Sequence, residues 1–152
     1  MSCSYFDVSN RVFRLLPPTT RQNYRKILKG KIMTVNESAE NYLETILILS
    51  RRRPVVRSVD IAEELGFKKS SVSVAMKHLR EKEHITVTKE GFIYLTDTGR
   101  EIAEMIYERH ERLSEWLTRL GVDPKVAAED ACRIEHVISK ESFEAIKKHI
   151  GI

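Results

Sequence analysis

Residues 58–95 decide the fold of this chain and read SVDIAEELGFKKSSVSVAMKHLREKEHITVTKEGFIYL. Ser58 can cap a short first helix, and Gly66 suits the left-handed turn that ends it. A second helix is predicted from Lys69 to Glu83, because apolar residues recur there at intervals of three and four. The apolar stripe, which we expect to face a core, consists of Val72, Ala75, Met76 and Leu79.

The opposite face of this second helix carries small, polar and cationic residues. Two short helices joined by a glycine-containing turn, with such a face on the second, are typical of a helix-turn-helix. The amide dipoles and hydroxyls at its start suit phosphates, and the exposed apolar Val74 suits a thymine methyl. The candidate DNA contacts on this helix are Lys68, Lys69, Ser70, Ser71, Ser73, Val74, Lys77 and His78.

A β-hairpin is predicted directly after the second helix. Residues 85–88 and 92–95 alternate apolar and polar side chains, and Lys89-Glu90-Gly91 between them is a turn sequence. An amphipathic helix opened by the capping box Thr34-x-x-Glu37 precedes the helix pair. This order predicts a winged helix over residues 34–98, with Lys89 in the wing as a further DNA contact. A small α+β domain that binds no nucleic acid is the alternative interpretation.

The composition is typical of a globular protein of a reducing compartment. Of 152 residues, 41% are hydrophobic and 32% are charged. No apolar run approaches the roughly 18 residues that span a bilayer, and no signal-peptide pattern is found. The two cysteines, Cys3 and Cys132, do not form a disulfide framework. We therefore expect a cytoplasmic protein that inserts into no membrane.

Basic charge is unevenly distributed along the chain. Residues 51–89 hold ten Lys/Arg against five Asp/Glu, which favours a phosphate-binding surface, although a solvated face has the same composition. Residues 1–33 hold seven Lys/Arg and one acid, and Pro17-Pro18 interrupts any helix there. We interpret this basic extension either as a flexible arm that contacts nucleic acid or as an overrun upstream of a true start at Met33.

Three helices are predicted over residues 99–152. The pattern Thr98-x-x-Glu101 opens a long helix, Asp123-Pro124 opens the second, and Ser139 caps the third. His110 interrupts the apolar stripe of the long helix. Because a polar ring on a packed face needs a partner, His110 is either a hydrogen-bonded core histidine or a ligand.

The second of these helices carries a cluster of candidate metal ligands. Cys132, Glu135 and His136 stand at i, i+3 and i+4, so a thiol, a carboxylate and an imidazole share one face. Asn41 and Glu44, also three apart, can supply oxygen ligands from another element. Each of these residue types is also ordinary on a helix surface, so the pattern alone leaves a metal site and a solvated face open.

Several runs of this sequence resemble the diphtheria-toxin-repressor and manganese-transport-regulator family. They cover about residues 36–150, in the family's order and spacing. The runs are Ser38-Ala-Glu-Asn-Tyr-Leu-Glu-Thr-Ile, Asp60-Ile-Ala-Glu-Glu-Leu, Ser70-Ser-Val-Ser, Leu95-Thr-Asp-Thr-Gly, Arg109-His-Glu and Cys132-Arg-Ile-Glu-His-Val-Ile-Ser. The resemblance implies a mainly α fold, in which a winged helix-turn-helix is followed by an all-helical metal-binding and dimerisation domain over residues 99–152.

The resemblance further implies a homodimeric, metal-activated transcriptional repressor of metal homeostasis genes. Such a protein binds double-stranded operator DNA and no small organic substrate. Metal bound between the two domains would fix the spacing of the two recognition helices in the dimer, as a population shift. Carried over position by position, the metal ligands are Asn41, Glu44, His110, Cys132, Glu135 and His136.

This ligand set is a hybrid of two types within the family. Iron-type members carry Cys at the position of Cys132, where manganese-type members have Glu, whereas Glu44 belongs to the manganese pattern. Asn41 stands where the family has Met or Asp. A thiolate favours softer ions and oxygen ligands favour harder ones. We expect iron(II) or manganese(II), with zinc, cobalt or nickel accepted in vitro.

Two other functions stay open on the sequence. A winged-helix regulator could sense peroxide through Cys132 as a redox thiol. A small metalloenzyme could use the Cys/Glu/His cluster, but the chain has no His-Glu-x-x-His, nucleophile elbow or P-loop, which disfavours an enzyme.

Overall fold

The computed structural model describes residues 35–151, which form six helices and one two-stranded sheet. In chain order the elements are α1 Val35–Arg52, α2 Ser58–Leu65, α3 Lys69–Glu81, β1 Ile85–Val87, β2 Ile93–Leu95, α4 Asp97–Arg119, α5 Pro124–Ile134 and α6 Lys140–Ile150. The described residues fall into two compact units, 35–107 and 108–151, divided within α4. The predicted mainly α fold is confirmed. The basic extension and the predicted cap at Thr34 lie outside the described residues.

The unit formed by residues 35–107 is a winged helix. Helix α1, the pair α2 and α3, and the antiparallel hairpin β1–β2 follow in that order, with Thr86 opposite Tyr94 at the centre of the sheet. Truncating a fully buried Leu or Ile in such a core costs roughly 2–5 kcal/mol. The core is built mainly from Leu43, Ile46, Leu47, Leu49, Val56, Ile61, Val72, Leu79, Ile85 and Ile93.

The turn between α2 and α3 has the geometry that its glycine predicts. Gly66 adopts φ +65°, and the N–H of Phe67 bonds the carbonyl of Ala62 at 3.0 Å. The predicted cap at Ser58 is wrong, because Ser58 is already the first helical residue and Arg57 occupies the N-cap. The backbone N–H of Arg57, at the N-terminus of α2, is bonded by a residue of the first turn, because the Asp60 carboxylate accepts it at 2.8 Å.

Helix α3 and the hairpin are each slightly shorter than predicted. Helix α3 ends at Glu81 rather than Glu83, and Glu83 adopts φ +58°, which no helix continues through. Each strand has three residues, because Thr88 and Phe92 close the turn. The Thr88 N–H donates to the Phe92 carbonyl, and the Thr88 hydroxyl accepts the Phe92 N–H.

Helix α4 begins earlier than its predicted cap. The N-terminal hydrogen bond is accepted by Thr96, whose hydroxyl takes the Gly99 N–H at 3.2 Å, so Thr98 is not the cap. The Thr98 hydroxyl instead donates to the Glu83 carbonyl, as does that of Thr96. The start of α4 is thereby bonded to the loop after α3.

The unit formed by residues 108–151 packs the second half of α4 against α5 and α6. The predicted caps of the two shorter helices are confirmed. Asp123 accepts the N–H groups of Lys125 and Val126, and Ser139 accepts that of Ser142. The core consists of Leu113, Ala131 and Phe143, with Trp116, Ile134, Ile138 and Ile146 packed around it. Between residues 35 and 151, no helix is both long enough and apolar enough to cross a membrane.

Candidate metal centre and nucleic-acid interface

Helix α3 separates its core residues from its candidate DNA contacts. Val72, Met76 and Leu79 are at most 4% exposed. Val74, by contrast, is apolar and 55% exposed on the opposite face. All nine candidate DNA contacts are exposed, namely Lys68, Lys69, Ser70, Ser71, Ser73, Val74, Lys77 and His78 around α3 and Lys89 in the hairpin turn.

The basic residues of this unit divide into two groups. The run Arg51–Arg53 at the end of α1 makes contacts within the unit. Its partners are, in order, the Tyr107 ring, Glu64 and Asp60. On α3, Lys77 and Glu81 are 3.9 Å apart and both more than half exposed, which makes a weak surface pair. The cationic surface available to an anion is therefore that of α3 and the hairpin rather than that of the arginine run.

Three candidate metal ligands come together in the other unit. Ligand atoms of His110, Cys132 and Glu135 all lie within 4.8 Å of one another. His110 Nδ1 is 2.8 Å from Glu135 Oε2, and His136 Nε2 is 3.2 Å from Glu135 Oε1. A nitrogen, a sulfur and carboxylate oxygens therefore converge in a volume that one ion could occupy.

Two helices position this cluster. Helix α4 contributes His110, on the side that faces the unit's interior. Helix α5 contributes Cys132 in its last turn, and Glu135 is the C-cap that follows its last residue, Ile134. Glu135 is fully buried, whereas Cys132 is exposed and can be reached from solvent. His110 is hydrogen-bonded to Glu135 and also lies close enough to Cys132 to share an ion with it, so the structure is compatible with both sequence interpretations of His110.

The electrostatics of Glu135 suit a cation. Burial raises the pKa of this carboxyl, but the close contacts with His110 and His136 and the charges of both rings outweigh burial, so the pKa is lowered overall. A buried carboxylate is therefore kept ionised. Its Oε1 atom is buried without a hydrogen bond among the described residues, and such an atom is costly unless a cation or donor compensates it. The residues present thus fit a divalent metal ion.

The remaining predicted ligands lie in the other unit. Asn41 and Glu44 are on α1, where Glu44 is 5% exposed and Asn41 is partly buried. Their assignment stays a prediction. One further residue contacts the cluster, because Arg109 Nη1 donates to the backbone carbonyl of Glu135 at 3.0 Å. Sequence analysis gave Arg109 no role, and its only signal was its place beside His110.

Comparison with known proteins gives matches over both units. Residues 34–91 match the family "Iron dependent repressor, N-terminal DNA binding domain". Residues 96–151 match the family "Iron dependent repressor, metal binding and dimerisation domain". Together these two matches include α1 to α6 and strand β1, and strand β2 lies in the short gap between them.

Two curated relatives are similar over most of their own length. An uncharacterised HTH-type transcriptional regulator of Methanocaldococcus jannaschii is 32% identical over 115 residues, 74% of this chain and 92% of the relative. The transcriptional regulator MntR of Escherichia coli is 32% identical over 111 residues, 73% of this chain and 72% of the relative.

Solved structures share the fold. IdeR of T. acidophilum gives a TM-score of 0.69 at 24% identity, over 80% of this chain and 56% of that one. A manganese-dependent transcriptional repressor in complex with manganese gives a TM-score of 0.69 at 27% identity, over 74% of this chain and 52% of that one. The chain thus spans about half the length of these two solved proteins.

Proposed function

The chain belongs to the diphtheria-toxin-repressor and manganese-transport-regulator family of metal-dependent transcriptional repressors, and we propose that it represses metal homeostasis genes in the cytoplasm when iron(II) or manganese(II) is bound. In this proposal a homodimer binds double-stranded operator DNA. Family members are DNA-binding regulators rather than enzymes, so the cluster does not belong to a metalloenzyme.

The observation that carries the proposal is the His110, Cys132 and Glu135 cluster with its buried carboxylate oxygen. A bound divalent ion would add positive charge beside this ionised carboxylate and would give its Oε1 atom a ligand bond. We propose His136 as a fourth ligand, since it lies beside Glu135, and Asn41 and Glu44 as further ligands on the resemblance alone. The thiolate of Cys132 favours the softer iron(II), whereas the oxygen ligands favour manganese(II). The balance between these two kinds of ligand therefore sets which ion binds more tightly.

On the DNA side, we propose that α3 enters the major groove. Lys68, Lys69, Ser70 and Ser71 at its start would hold phosphates, and Val74 would meet a thymine methyl. Ser73, Lys77 and His78 continue the same exposed surface, and Lys89 would contact the backbone from the hairpin turn. Two copies of α3 in a dimer predict operator half-sites about 10 base pairs, or a multiple of this, apart.

Selection from a pool of random-sequence duplexes by the full chain tests this function. The arms contain manganese(II), iron(II) without oxygen, zinc(II), or a chelator. We expect enrichment of an inverted repeat in the metal arms only. Equal enrichment with the chelator would contradict metal activation, and loss of binding on peroxide treatment would then indicate the redox alternative at Cys132.

Lys69→Ala tests the DNA face of α3. Lys69 is exposed at the first position of the helix, and we expect its loss to remove about one phosphate contact. Binding to the selected duplex should weaken by a similar factor for every sequence, and the magnitude of the slope of log affinity against log salt should fall by about 1.8, which is about 0.9 for each of the two copies of Lys69 in the dimer. Lys140→Ala, an exposed lysine at the start of α6, is the control. An unchanged salt slope for Lys69→Ala would contradict the assignment.

A further inference from the structure

Two consecutive residues of α4 bond to Glu135. His110 Nδ1 lies 2.8 Å from the carboxylate, at Oε2. Arg109 Nη1 donates to the backbone carbonyl of the same residue at 3.0 Å. Glu135 is thus held by α4 through its side chain and through its main chain.

The hydrogen bond from Arg109 to the Glu135 carbonyl lies at the C-terminal end of α5. Helix α5 ends at Ile134, and Glu135 is its C-cap, whose N–H bonds the Ala131 carbonyl at 2.9 Å. The carbonyls of a last turn lie beyond the helical hydrogen-bond ladder. A guanidinium there serves both as a donor and as a positive charge at the negative end of the helix dipole. Arg109 therefore fixes the turn that carries Cys132 and Glu135.

Arg109 is itself held in place by the core of the unit. Its guanidinium lies 5.8 Å from the centroid of the Phe143 ring, and Phe143 is 4% exposed. The preceding residue, Glu108, accepts a hydrogen bond from Lys147 of α6 at 2.7 Å. One turn of α4 therefore contacts both α5 and α6, and Arg109 has little freedom to release the Glu135 carbonyl.

We propose that Arg109 is a positioning residue of the metal centre. By holding the Glu135 backbone, it sets where the carboxylate points relative to His110 and Cys132, and so it tunes metal affinity and coordination geometry. Contacts of this kind, which hold a ligand without touching the metal, change affinity by about 10–100-fold when removed. This inference rests on the proposed function, because it requires a metal at the cluster.

Cobalt(II) binding to the full chain tests the proposal, since its visible absorption reports coordination geometry and the thiolate of Cys132. Arg109→Met removes the donor and keeps most of the side-chain length, whereas Arg109→Lys keeps one charged donor. The matched control is Arg119→Met. Arg119 is also on α4 and donates to the last carbonyl of another helix, that of Ile150 in α6 at 2.9 Å, away from the cluster.

We expect the parent and Arg119→Met to bind cobalt(II) with the same spectrum and affinity. Arg109→Met should bind about 10–100-fold more weakly with a changed spectrum, and Arg109→Lys should fall between. A parent-like Arg109→Met, or an equal loss in Arg119→Met, would overturn the proposal. If Arg109→Met does not fold, Arg109→Lys carries the test, and parent-like binding would then overturn it. A parent that does not bind cobalt(II) would instead contradict the proposed function.

Discussion

At the scale of the residue, Glu135 is the central group of the candidate metal site, because it is buried and contacts both His110 and His136. A carboxylate with no exposed surface is unfavourable unless it is paired, and here the contacts with His110 and His136 outweigh burial and lower its pKa. Oε1 has no hydrogen bond among the residues that the structure describes. A cation that binds beside Cys132 would therefore stabilise a group that the folded chain already holds ionised.

We expect Cys132 to set the preference of the proposed metal site for softer ions. Replacing its thiol by a carboxylate, Cys132→Glu, should lower the affinity for iron(II), cobalt(II) and zinc(II) relative to that for manganese(II), because oxygen ligands suit harder ions. Competition titrations of the four ions measure the ratio of affinities in parent and variant. Cys132 is exposed, so the larger side chain has room. An unchanged ratio would contradict the role of Cys132 as a ligand.

Tyr42, in the unit formed by residues 35–107, makes the stability of the fold depend on pH. Burial raises the pKa of this phenol above its usual 10.0, and its ring packs edge-on against Phe67 at 6.2 Å. Since the folded pKa is the higher one, the stability from neutral Tyr42 is present below about pH 10 and is lost as pH rises through the folded value. In an ultraviolet titration of tyrosinate, Tyr42→Phe should remove a component that titrates above the usual tyrosine pKa. A variant that loses an early component instead would contradict the shift.

The sequence predicted the residues of the metal cluster better than their contacts. The i, i+3, i+4 spacing of Cys132, Glu135 and His136 predicted one helix face, but α5 ends at Ile134, so Cys132 is helical, Glu135 is the C-cap and His136 lies in the turn that follows. The approach of His110 depends on how α4 packs against α5, which periodicity does not specify. The Arg109 contact was missed for the same reason: it joins a side chain to a carbonyl 26 positions away.

At the scale of the element, helix ends show where local sequence rules succeed. The caps at Asp123 and Ser139 were predicted correctly, because each side chain bonds N–H groups within its own first turn. The predicted caps at Ser58 and Thr98 were wrong. In the first case Asp60 satisfies the turn from inside, and in the second Thr98 bonds the distant Glu83 carbonyl. The Glu83 carbonyl is distant in sequence from Thr98, so a motif of four residues cannot predict that the Thr98 hydroxyl bonds to it rather than capping its own helix.

Gly99 gives a test of the junction between α3 and α4. In a helix, Gly→Ala normally stabilises by roughly 0.5–1 kcal/mol. Here the added Cβ would overlap the carbonyl oxygen of His84 and lie 2.9 Å from its carbonyl carbon, and backbone cannot easily move aside. We expect Gly99→Ala to lower the free energy of unfolding by about 1–3 kcal/mol, as overpacking does. Urea unfolding measures this change.

The neighbouring exposed position provides the control for Gly99. Arg100→Ala in the same turn of α4 should change the free energy of unfolding by less than about 0.5 kcal/mol. A Gly99→Ala variant as stable as Arg100→Ala would show that the junction relaxes around the methyl group. The close approach of α4 to His84 would then not limit the residue at this position.

At the scale of the whole molecule, the residues proposed to contact DNA and the cluster proposed to bind metal lie in different units. The exposed candidate DNA contacts belong to residues 35–107, and the ligand cluster belongs to residues 108–151. Helix α4 runs through both as one element, with its start bonded to the loop after α3 and its second half carrying Arg109 and His110. A metal at the cluster can change DNA binding only as far as it binds the DNA-competent arrangement more tightly than the others.

Because the proposed ligands and the proposed DNA contacts lie in different units, we predict that His136→Ala abolishes metal-dependent DNA binding without unfolding the protein. His136 adjoins Glu135 in the cluster, so its loss should abolish metal-dependent binding to the selected duplex. The variant should remain a folded dimer, because the core around Leu113 and Phe143 does not include it. Light scattering and circular dichroism measure assembly and folding, and fluorescence anisotropy measures DNA binding with and without manganese(II). His149→Ala, an exposed histidine of α6, should behave like the parent. Metal-dependent binding by His136→Ala at the parent level would remove His136 from the ligand set, and a monomeric variant would place it in the dimer contact instead.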